Sequence, residues 1–395
     1  MTDEVILAGG KRTPFGDFGK SLKDIPGTDL AEHAASACLE YAGLAVEAVD
    51  HLVCGNTVPV DQGGLFSSRV VAINIGMAEE SAALNVSRAC GTGTQAIVSA
   101  AEQIMTGHSK VALAGGYENY SRAPYLAENT RWGAGRGPVT LVDSLDYAYR
   151  DPFDLTLMGG TAEALTDDFG YDRDDMDEWA AMSQKRAIGG IDSGFLARQI
   201  APIMVPERKG ERLFEVDEYP RRDATPEKLA KLRPAFRDGG RVTAGNSSGI
   251  TDGAAFVVVA TRSEAERLGV TPRARIVDWE VVGVPPRIMG SGPVPAIDRL
   301  LSRRQLKVSD IDYYEINEAF AVVNLHAEAK LGIPRDATNL YGGGISIGHP
   351  PGATGVRMTM TAMEHLEDTD GRYAVISMCL GAGQGMAVLI ERIAS

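Results

Sequence analysis

Residues 83–105 read ALNVSRACGTGTQAIVSAAEQIM and combine a short apolar segment, a glycine-punctuated turn and a longer segment with helical spacing. The pattern predicts a strand over 83–86 and a helix over 94–105. A further apolar segment at 111–114 predicts the next strand. Cys90 therefore lies at a strand-to-helix turn, which is typical of an α/β protein.

The same order recurs near the C-terminus, where residues 342–366 read GGGISIGHPPGATGVRMTMTAMEHL. A predicted strand at 313–316 precedes this segment, a predicted helix covers 356–366, and another predicted strand follows at 374–377. His349 lies in the glycine-rich turn ahead of that helix, in the place that Cys90 takes in the first segment.

The spacing of the two segments indicates a duplication. Asn317 precedes His349 by nearly the same interval that separates Asn56 from Cys90. Each half also opens with an apolar strand, at 5–8 and at 274–277. We therefore predict two copies of one α/β unit.

Residues 121–249 differ in character from both copies. They contain turns rich in Gly, Arg and Pro, an acidic helical piece at 167–184 and a basic stretch. The apolar segment 254–260 is interpreted as a core strand that returns to the first unit. The predicted parts are an N-terminal unit (1–120 with 250–271), an inserted loop domain (121–249) and a C-terminal unit (272–395).

Bulk properties exclude several classes of protein. The 395 residues carry a formal charge of −14, which argues against general affinity for nucleic acid. No apolar run reaches the ~18 residues of a membrane span, and the start of the chain lacks a signal peptide, so a cytoplasmic protein without a membrane partner is expected. The four cysteines have neither disulfide nor metal-site spacing, so no metal site is predicted and any special cysteine is expected to be reactive.

Four polar residues next to predicted strands are candidates for catalysis. Cys90 precedes a helix whose dipole and free N–H groups favour a thiolate, and His349 can accept its proton. Cys379 opens the glycine-alternating run 379–385, which is expected to expose its side chain. Asn317 can hold a water or a carbonyl. The alternatives are a small buried core residue for Cys90 and a cap or turn residue for Asn317.

A basic stretch between residues 221 and 241 is the candidate site for an anionic small ligand. Alternatively, this stretch is a charged surface that is exposed to solvent and binds no ligand. Its members are Arg221, Arg222, Lys228, Lys231, Arg233, Arg237 and Arg241.

Five blocks of the chain, in order and spacing, resemble the signature segments of the thiolase family. They lie around Cys90, at 242–255, at 317–320, at 342–355 and at 379–385. The resemblance covers essentially the whole chain. It implies an α/β fold in which a duplicated α/β unit forms five layers and carries an inserted loop domain.

The resemblance also implies roles for the candidate residues. Cys90 would be the acylated nucleophile, His349 the base that activates it and Cys379 the second acid/base. Asn317 would orient a water that forms one oxyanion hole with His349. The N–H groups of Cys90 and Gly381 would form the other.

The implied substrates are coenzyme A and acyl-CoA thioesters, with no permanently bound cofactor. Ser248 would contact the pantetheine arm, and Arg221 and Lys228 would lie near the nucleotide end. Further substrate contacts implied by position are Leu157, Met158, Phe236, Ala244, Met289 and Phe320. Members of this family are homodimers or homotetramers and act in fatty-acid metabolism, including β-oxidation.

One departure from the family pattern bears on substrate length. Leu157 stands where many acetoacetyl-CoA-specific members have histidine, which favours a broad-range 3-oxoacyl-CoA thiolase. An acetoacetyl-CoA-specific acetyl-CoA C-acetyltransferase is the alternative. Pro351, where leucine or phenylalanine is frequent, also bears on the shape of the acyl pocket.

Other classes fit the sequence less well. Ketoacyl-carrier-protein synthases and hydroxymethylglutaryl-CoA synthases lack a second catalytic cysteine in a CxGxGxG run, which this chain has at Cys379. A non-catalytic CoA- or lipid-binding relative would be expected to lose at least one catalytic side chain. A simple Cys/His hydrolase explains neither the second cysteine nor the duplication.

Overall fold

The structure, a computed structural model, describes residues 3–394. Its strands are β1 (Val5–Arg12), β2 (Gly16–Asp17), β3 (His51–Gly55), β4 (Ala82–Val86), β5 (Val111–Glu118), β6 (Tyr125–Ala127), β7 (Leu141–Asp143), β8 (Ile203–Glu207), β9 (Gly210–Phe214), β10 (Thr251–Thr261), β11 (Ala274–Gly283), β12 (Tyr313–Ile316), β13 (Tyr373–Leu380) and β14 (Gln384–Arg392). Its helices are α1 (Gly27–Ala42), α2 (Ser67–Asn74), α3 (Thr92–Met105), α4 (Ser144–Ala148), α5 (Met158–Phe169), α6 (Arg173–Asp192), α7 (Pro226–Leu229), α8 (Arg262–Leu268), α9 (Pro293–Arg304), α10 (Ala321–Leu331), α11 (Gly344–Ile347) and α12 (Pro351–Thr369).

The strand pairing repeats the same topology in the two halves of the chain. In the N-terminal half, β1, β10 and β5 pair antiparallel, and β3 and β4 then add in parallel. In the C-terminal half, β11, β14 and β13 pair antiparallel, and β12 adds in parallel. A parallel bridge from Tyr314 to Thr338 stands where the fifth strand would follow. A short pairing of Leu7 with Ala274 joins the two half-sheets.

Three large apolar cores fill the space between the layers. Successive strand residues point to opposite faces, so Phe256 packs in an outer core with α1, whereas Val257 packs in the central core with α3 and α12. In the other half, Ile376 faces the central core and Val375 faces a second outer core with α9 and α10. The order is helices, sheet, helices, sheet, helices, which is the duplicated five-layer arrangement expected from the sequence.

The N-terminal turns of the two central helices are in direct contact. A Cβ added at Gly93 of α3 would lie 2.6 Å from the Gly352 carbonyl oxygen of α12. A Cβ added at Gly355 would lie 2.0 Å from Thr94 Oγ1. Because Cys90 and His349 each lie three residues ahead of one of these glycines, the contact brings their two turns to the same end of the central layer.

The segment between the copies contains α5 and α6 and two small hairpins, β6–β7 and β8–β9. The acidic piece expected at 167–184 is not one helix. Gly170 ends α5 in the left-handed conformation at φ 73°, and α6 begins at Arg173, because a left-handed glycine terminates a helix. No helix in residues 3–394 is long and apolar enough to cross a membrane.

Candidate active site

The turn that carries Cys90 is strained and tightly bonded. Ala89 has φ 44°, a conformation that costs a residue with a side chain free energy and occurs often at functional sites. Thr92 Oγ1 donates to the Ala89 carbonyl at 2.7 Å and accepts from the Arg88 N–H at 2.9 Å. These bonds hold Cys90 immediately ahead of α3.

The environment of the Cys90 thiol favours its neutral form. Cys90 keeps some exposure as a residue, but its sulfur lies among protein atoms, and burial raises its pKa to about 11. The backbone N–H groups of Gly381 and of Cys90 itself lie close to the sulfur and act in the opposite direction. The expectation that the helix N-terminus alone would favour a thiolate is therefore wrong, because burial outweighs it. These are the two N–H groups that the resemblance assigns to an oxyanion hole, and that assignment stays a prediction.

Cys379 is not exposed by its glycine-rich turn. It lies within β13, opposite Gly385 of β14, and it is fully buried. The expectation failed because the strand continues through Leu380, so that the turn begins at Gly381, two residues after Cys379. Burial raises the pKa of this thiol well above its usual range, and the neighbouring Cys90 adds to the shift. Cys379 is thus a neutral thiol beside the candidate nucleophile.

His349 is held by backbone geometry and by two side chains. Gly348 has φ 106°, and a Cβ there would meet the side chain of Thr251 at 2.5 Å, so only glycine fits this position. His349 Nδ1 lies 2.7 Å from Thr354 Oγ1, and Nε2 lies 3.3 Å from Asn317 Nδ2. Burial, together with the smaller effect of the positive charge of Arg357, lowers the pKa of His349 to about 3. The imidazole is therefore neutral.

Asn317 connects the histidine to the second cysteine. Its backbone N–H donates to the Ser377 carbonyl of β13 at 2.9 Å, two residues before Cys379. Its side chain is fully buried, and within the described residues its Oδ1 atom has no hydrogen-bond partner. A buried acceptor of this kind is available to a water or a substrate group. Asn317 is therefore not a simple helix cap or turn residue.

The structure thus assembles all five catalytic candidates at the same end of the molecule. The Cys90 turn touches the end of β13, since a Cβ on Gly91 would lie 2.7 Å from Leu380. Both ring nitrogens of His349 are engaged by Thr354 and Asn317, so the imidazole makes no direct hydrogen bond to Cys90 within residues 3–394. Such hydrogen bonds often tighten only in the substrate complex.

Apolar candidates border this assembly on one side. Met158 approaches Gly381, with its terminal methyl 3.3 Å from the position of an added Cβ. Phe236 packs edge-to-face on Phe320 at 6.0 Å between ring centres, and Met289 is buried in the same core. Leu157 is half-buried directly ahead of α5. Met158, Phe236, Met289 and Phe320 thus belong to one apolar cluster, and Met158 is its member that reaches Gly381.

Ser248, the candidate for the pantetheine arm, and Ala244, a further candidate substrate contact, lie in the loop that precedes β10. The Ser248 N–H donates to the Ala319 carbonyl at 2.9 Å, next to Phe320. Ala244 is exposed in the turn before it. This loop therefore leads from the buried site to the surface.

The basic stretch is largely neutralised by acidic partners. Arg222 pairs with Asp192, Lys228 with Asp223, and Arg237 and Arg241 with Asp167. Within residues 3–394, Arg221, Lys231 and Arg233 make no ion pair.

Arg221 and Lys228, the two cations expected near the nucleotide end of coenzyme A, have different surroundings. Arg221 lines an open surface groove of about 640 Å³ against α6, whereas Lys228 lies outside the lining of that groove. Of the two, Arg221 is better placed for an anionic ligand.

The structure adds residues near the nucleophile that sequence reasoning missed. Glu118 is fully buried at the end of β5, accepts from the N–H and hydroxyl of Thr57, and has its pKa raised by burial to about 8. The ring of Tyr149 packs edge-to-face on that of Tyr120. An acidic residue directly after the apolar strand VALAGGY was the available signal for Glu118.

This chain is similar to known proteins along essentially its whole length. The family described as thiolase, N-terminal domain, matches residues 5–263, and thiolase, C-terminal domain, matches residues 270–392. The beta-ketothiolase BktB of Cupriavidus necator is 45% identical over 394 residues, which cover 100% of each chain.

Solved structures show the same likeness in three dimensions. A crystal structure of human mitochondrial 3-ketoacyl-CoA thiolase superposes with a TM-score of 0.97 at 39% identity and covers 99% of this chain and 100% of that chain. The same human enzyme in complex with CoA gives a TM-score of 0.96 at 39% identity and covers 99% of this chain and 98% of that chain. The fold predicted from the sequence is confirmed.

Proposed function

Because this chain belongs to the thiolase family, we propose that it catalyses the reversible, coenzyme A-dependent cleavage of 3-oxoacyl-CoA through an acyl-Cys90 intermediate. The observation that carries the proposal is the grouping of Cys90, the Gly381 N–H and Cys379 at one end of the central layer. A nucleophile, an oxyanion donor and a second proton carrier are the groups that this reaction needs.

In the first half-reaction, His349 accepts the proton of the Cys90 thiol as the sulfur attacks the 3-oxo carbon. The resulting oxyanion is stabilised by the N–H groups of Cys90 and Gly381. The bond between C2 and C3 then breaks, the oxyanion re-forms a carbonyl, and acetyl-CoA leaves as an enolate. Cys379 protonates that enolate at C2, a role that its raised pKa supports because it is a thiol and not a thiolate.

In the second half-reaction, the Cys379 thiolate removes the proton of coenzyme A, whose sulfur attacks the acyl-Cys90 thioester. The shortened acyl-CoA forms, and the Cys90 thiolate recovers its proton from His349. In the first half-reaction, a water oriented by Asn317, together with protonated His349, stabilises the thioester oxygen of the departing acetyl-CoA enolate. Each proton thus returns to its starting residue.

The acyl intermediate provides the direct test. Peptide mass spectrometry after brief incubation with acetyl-CoA should place the acetyl group on Cys90 alone, and Cys90→Ala should abolish both labelling and thiolysis. An acetyl group on Cys379, Cys38 or Cys54 would refute the assignment.

We propose a broad substrate range, based on Leu157 and the apolar residues beside Gly381. An apolar pocket gains about 0.8 kcal/mol per buried methylene, which is roughly a fourfold preference per carbon. Thiolysis of four-, six-, eight- and ten-carbon substrates tests this range. A sharp loss of rate beyond four carbons would favour the acetoacetyl-CoA-specific alternative. Leu157→His should shift a broad enzyme towards the shortest substrate.

Coenzyme A is the proposed second substrate, with Ser248 at the pantetheine arm and Arg221 in the groove against α6. The human relative was crystallised in complex with CoA. Arg221→Ala should raise the KM for coenzyme A several-fold and leave kcat nearly unchanged, since a contact far from the reacting atoms contributes equally to ground and transition states. Lys228→Ala is the matched control and should have the smaller effect.

A homodimer or homotetramer is proposed as the assembly. Strand β4 is an edge strand, and Leu65 and Phe66 nearby are each 68% exposed. Unpaired edges and exposed apolar side chains favour association. Light scattering should give twice or four times the 42.0 kDa of one chain, and Phe66→Glu should lower that mass.

A further inference from the structure

We propose that Thr354 is a positioning residue that fixes the tautomer of His349, an inference that rests on the function proposed above. Thr354 Oγ1 lies 2.7 Å from His349 Nδ1 and 2.9 Å from the Pro350 carbonyl oxygen. Thr354 is fully buried, and His349 is 7% exposed. The contact is therefore protected from bulk water.

The single hydrogen of a threonine hydroxyl can be donated to one partner only. Thr354 donates it to the Pro350 carbonyl, four residues back along the first turn of α12, as threonine commonly does in helices. Towards His349 the hydroxyl oxygen can then only accept. The hydrogen of the neutral imidazole is therefore on Nδ1, and the lone pair is on Nε2.

Asn317 independently fits this tautomer. Its Nδ2 atom lies 3.3 Å from His349 Nε2 and can donate to a lone pair there. Its Oδ1 atom faces Gly344, at 2.9 Å from the position that a Cβ would take, and a carbonyl oxygen suits this contact with a Cα–H group. In the opposite tautomer, an N–H on Nε2 would point at the amide N–H group of Asn317.

The tautomer decides whether His349 can act as a base. A neutral imidazole has one basic nitrogen; Nε2 lies towards Asn317, whereas Nδ1 lies towards Thr354 on α12. With the hydrogen on Nδ1, Nε2 can accept the proton of Cys90, and the resulting imidazolium keeps its Nδ1 hydrogen bond to Thr354. With the hydrogen on Nε2, the basic nitrogen would face α12. Thr354 thus acts through His349 and touches no substrate.

The test compares Thr354→Val, which keeps the shape but removes the hydroxyl, with Thr354→Ser, which keeps the hydroxyl. We expect Thr354→Val to lower kcat for acetoacetyl-CoA thiolysis by about 10- to 100-fold with little change in KM, as for other residues that orient a functional histidine. Thr354→Ser should stay within about threefold of wild type. Thermal unfolding of both variants reports any loss of folding.

A pH series separates positioning from packing. Near pH 7, Thr354→Val should react with iodoacetamide at Cys90 more slowly than wild type, because its His349 is a poorer base. This deficit should shrink between about pH 7 and pH 9.5, because Cys90 ionises increasingly without a base. Equal losses in the Val and Ser variants, or a deficit that is constant with pH, would overturn the inference in favour of packing. A fully active Thr354→Val would also overturn it. By contrast, a wild type without thiolysis would refute the proposed function itself.

Discussion

Replacing Gly355 by alanine would insert a Cβ into the contact between α3 and α12. The added atom would lie 2.0 Å from Thr94 Oγ1 and 2.4 Å from Thr94 N, whereas ordinary contacts begin at 3.4 Å. Rotation of the threonine side chain relieves only the first clash, since the second involves backbone. The two helices must therefore separate by about 1 Å, and a displacement of that size can lower turnover by about 100-fold when it moves reacting groups apart.

We expect Gly355→Ala to lower kcat for acetoacetyl-CoA thiolysis by about 100-fold and to destabilise the fold by about 1–3 kcal/mol, the usual cost of overpacking. Steady-state kinetics and urea unfolding measure the two effects. Gly189→Ala is the matched control, because this glycine lies within α6 and a Cβ there meets nothing within 4 Å. It should retain activity and gain up to about 1 kcal/mol of stability. A kcat for Gly355→Ala within about threefold of wild type would refute the reasoning.

Three further predictions concern the reacting groups. Since burial raises the pKa of Cys90 to about 11, its iodoacetamide labelling in a variant without the base, His349→Ala, should accelerate by about tenfold per pH unit above neutrality, and a plateau below about pH 8 would contradict a neutral thiol. Cys379→Ser should slow carbon–carbon cleavage far more than acetyl loading of Cys90, as stopped-flow measurements of each step can show; equal losses would indicate a structural role. Asn317→Ala should lower kcat with little change in KM, the pattern of an interaction that forms mainly in the transition state, and a change confined to KM would contradict it.

The order of elements and the duplication could be predicted because their signals are local. The strand period, the helix period and the glycine turns of residues 83–105 are each determined within a few neighbouring residues. The intervals from Asn56 to Cys90 and from Asn317 to His349 then indicated two equivalent turns, which the contact between α3 and α12 brings together. The division of the chain into three parts stays a prediction.

The sequence by itself determined which residues are the candidates for catalysis, since Cys90, His349, Cys379 and Asn317 stand in motifs that can be read directly. Only the tertiary structure decided the protonation states of the two cysteines and the histidine. The burial that raises the thiol pKa of Cys90 and Cys379 comes from elements far apart in the chain. The Arg357 charge that acts on His349 comes from nearby in the chain, on α12, but its distance from the imidazole is still set by the fold. Desolvation and hydrogen-bond partners depend on distances in space, which local sequence patterns do not determine.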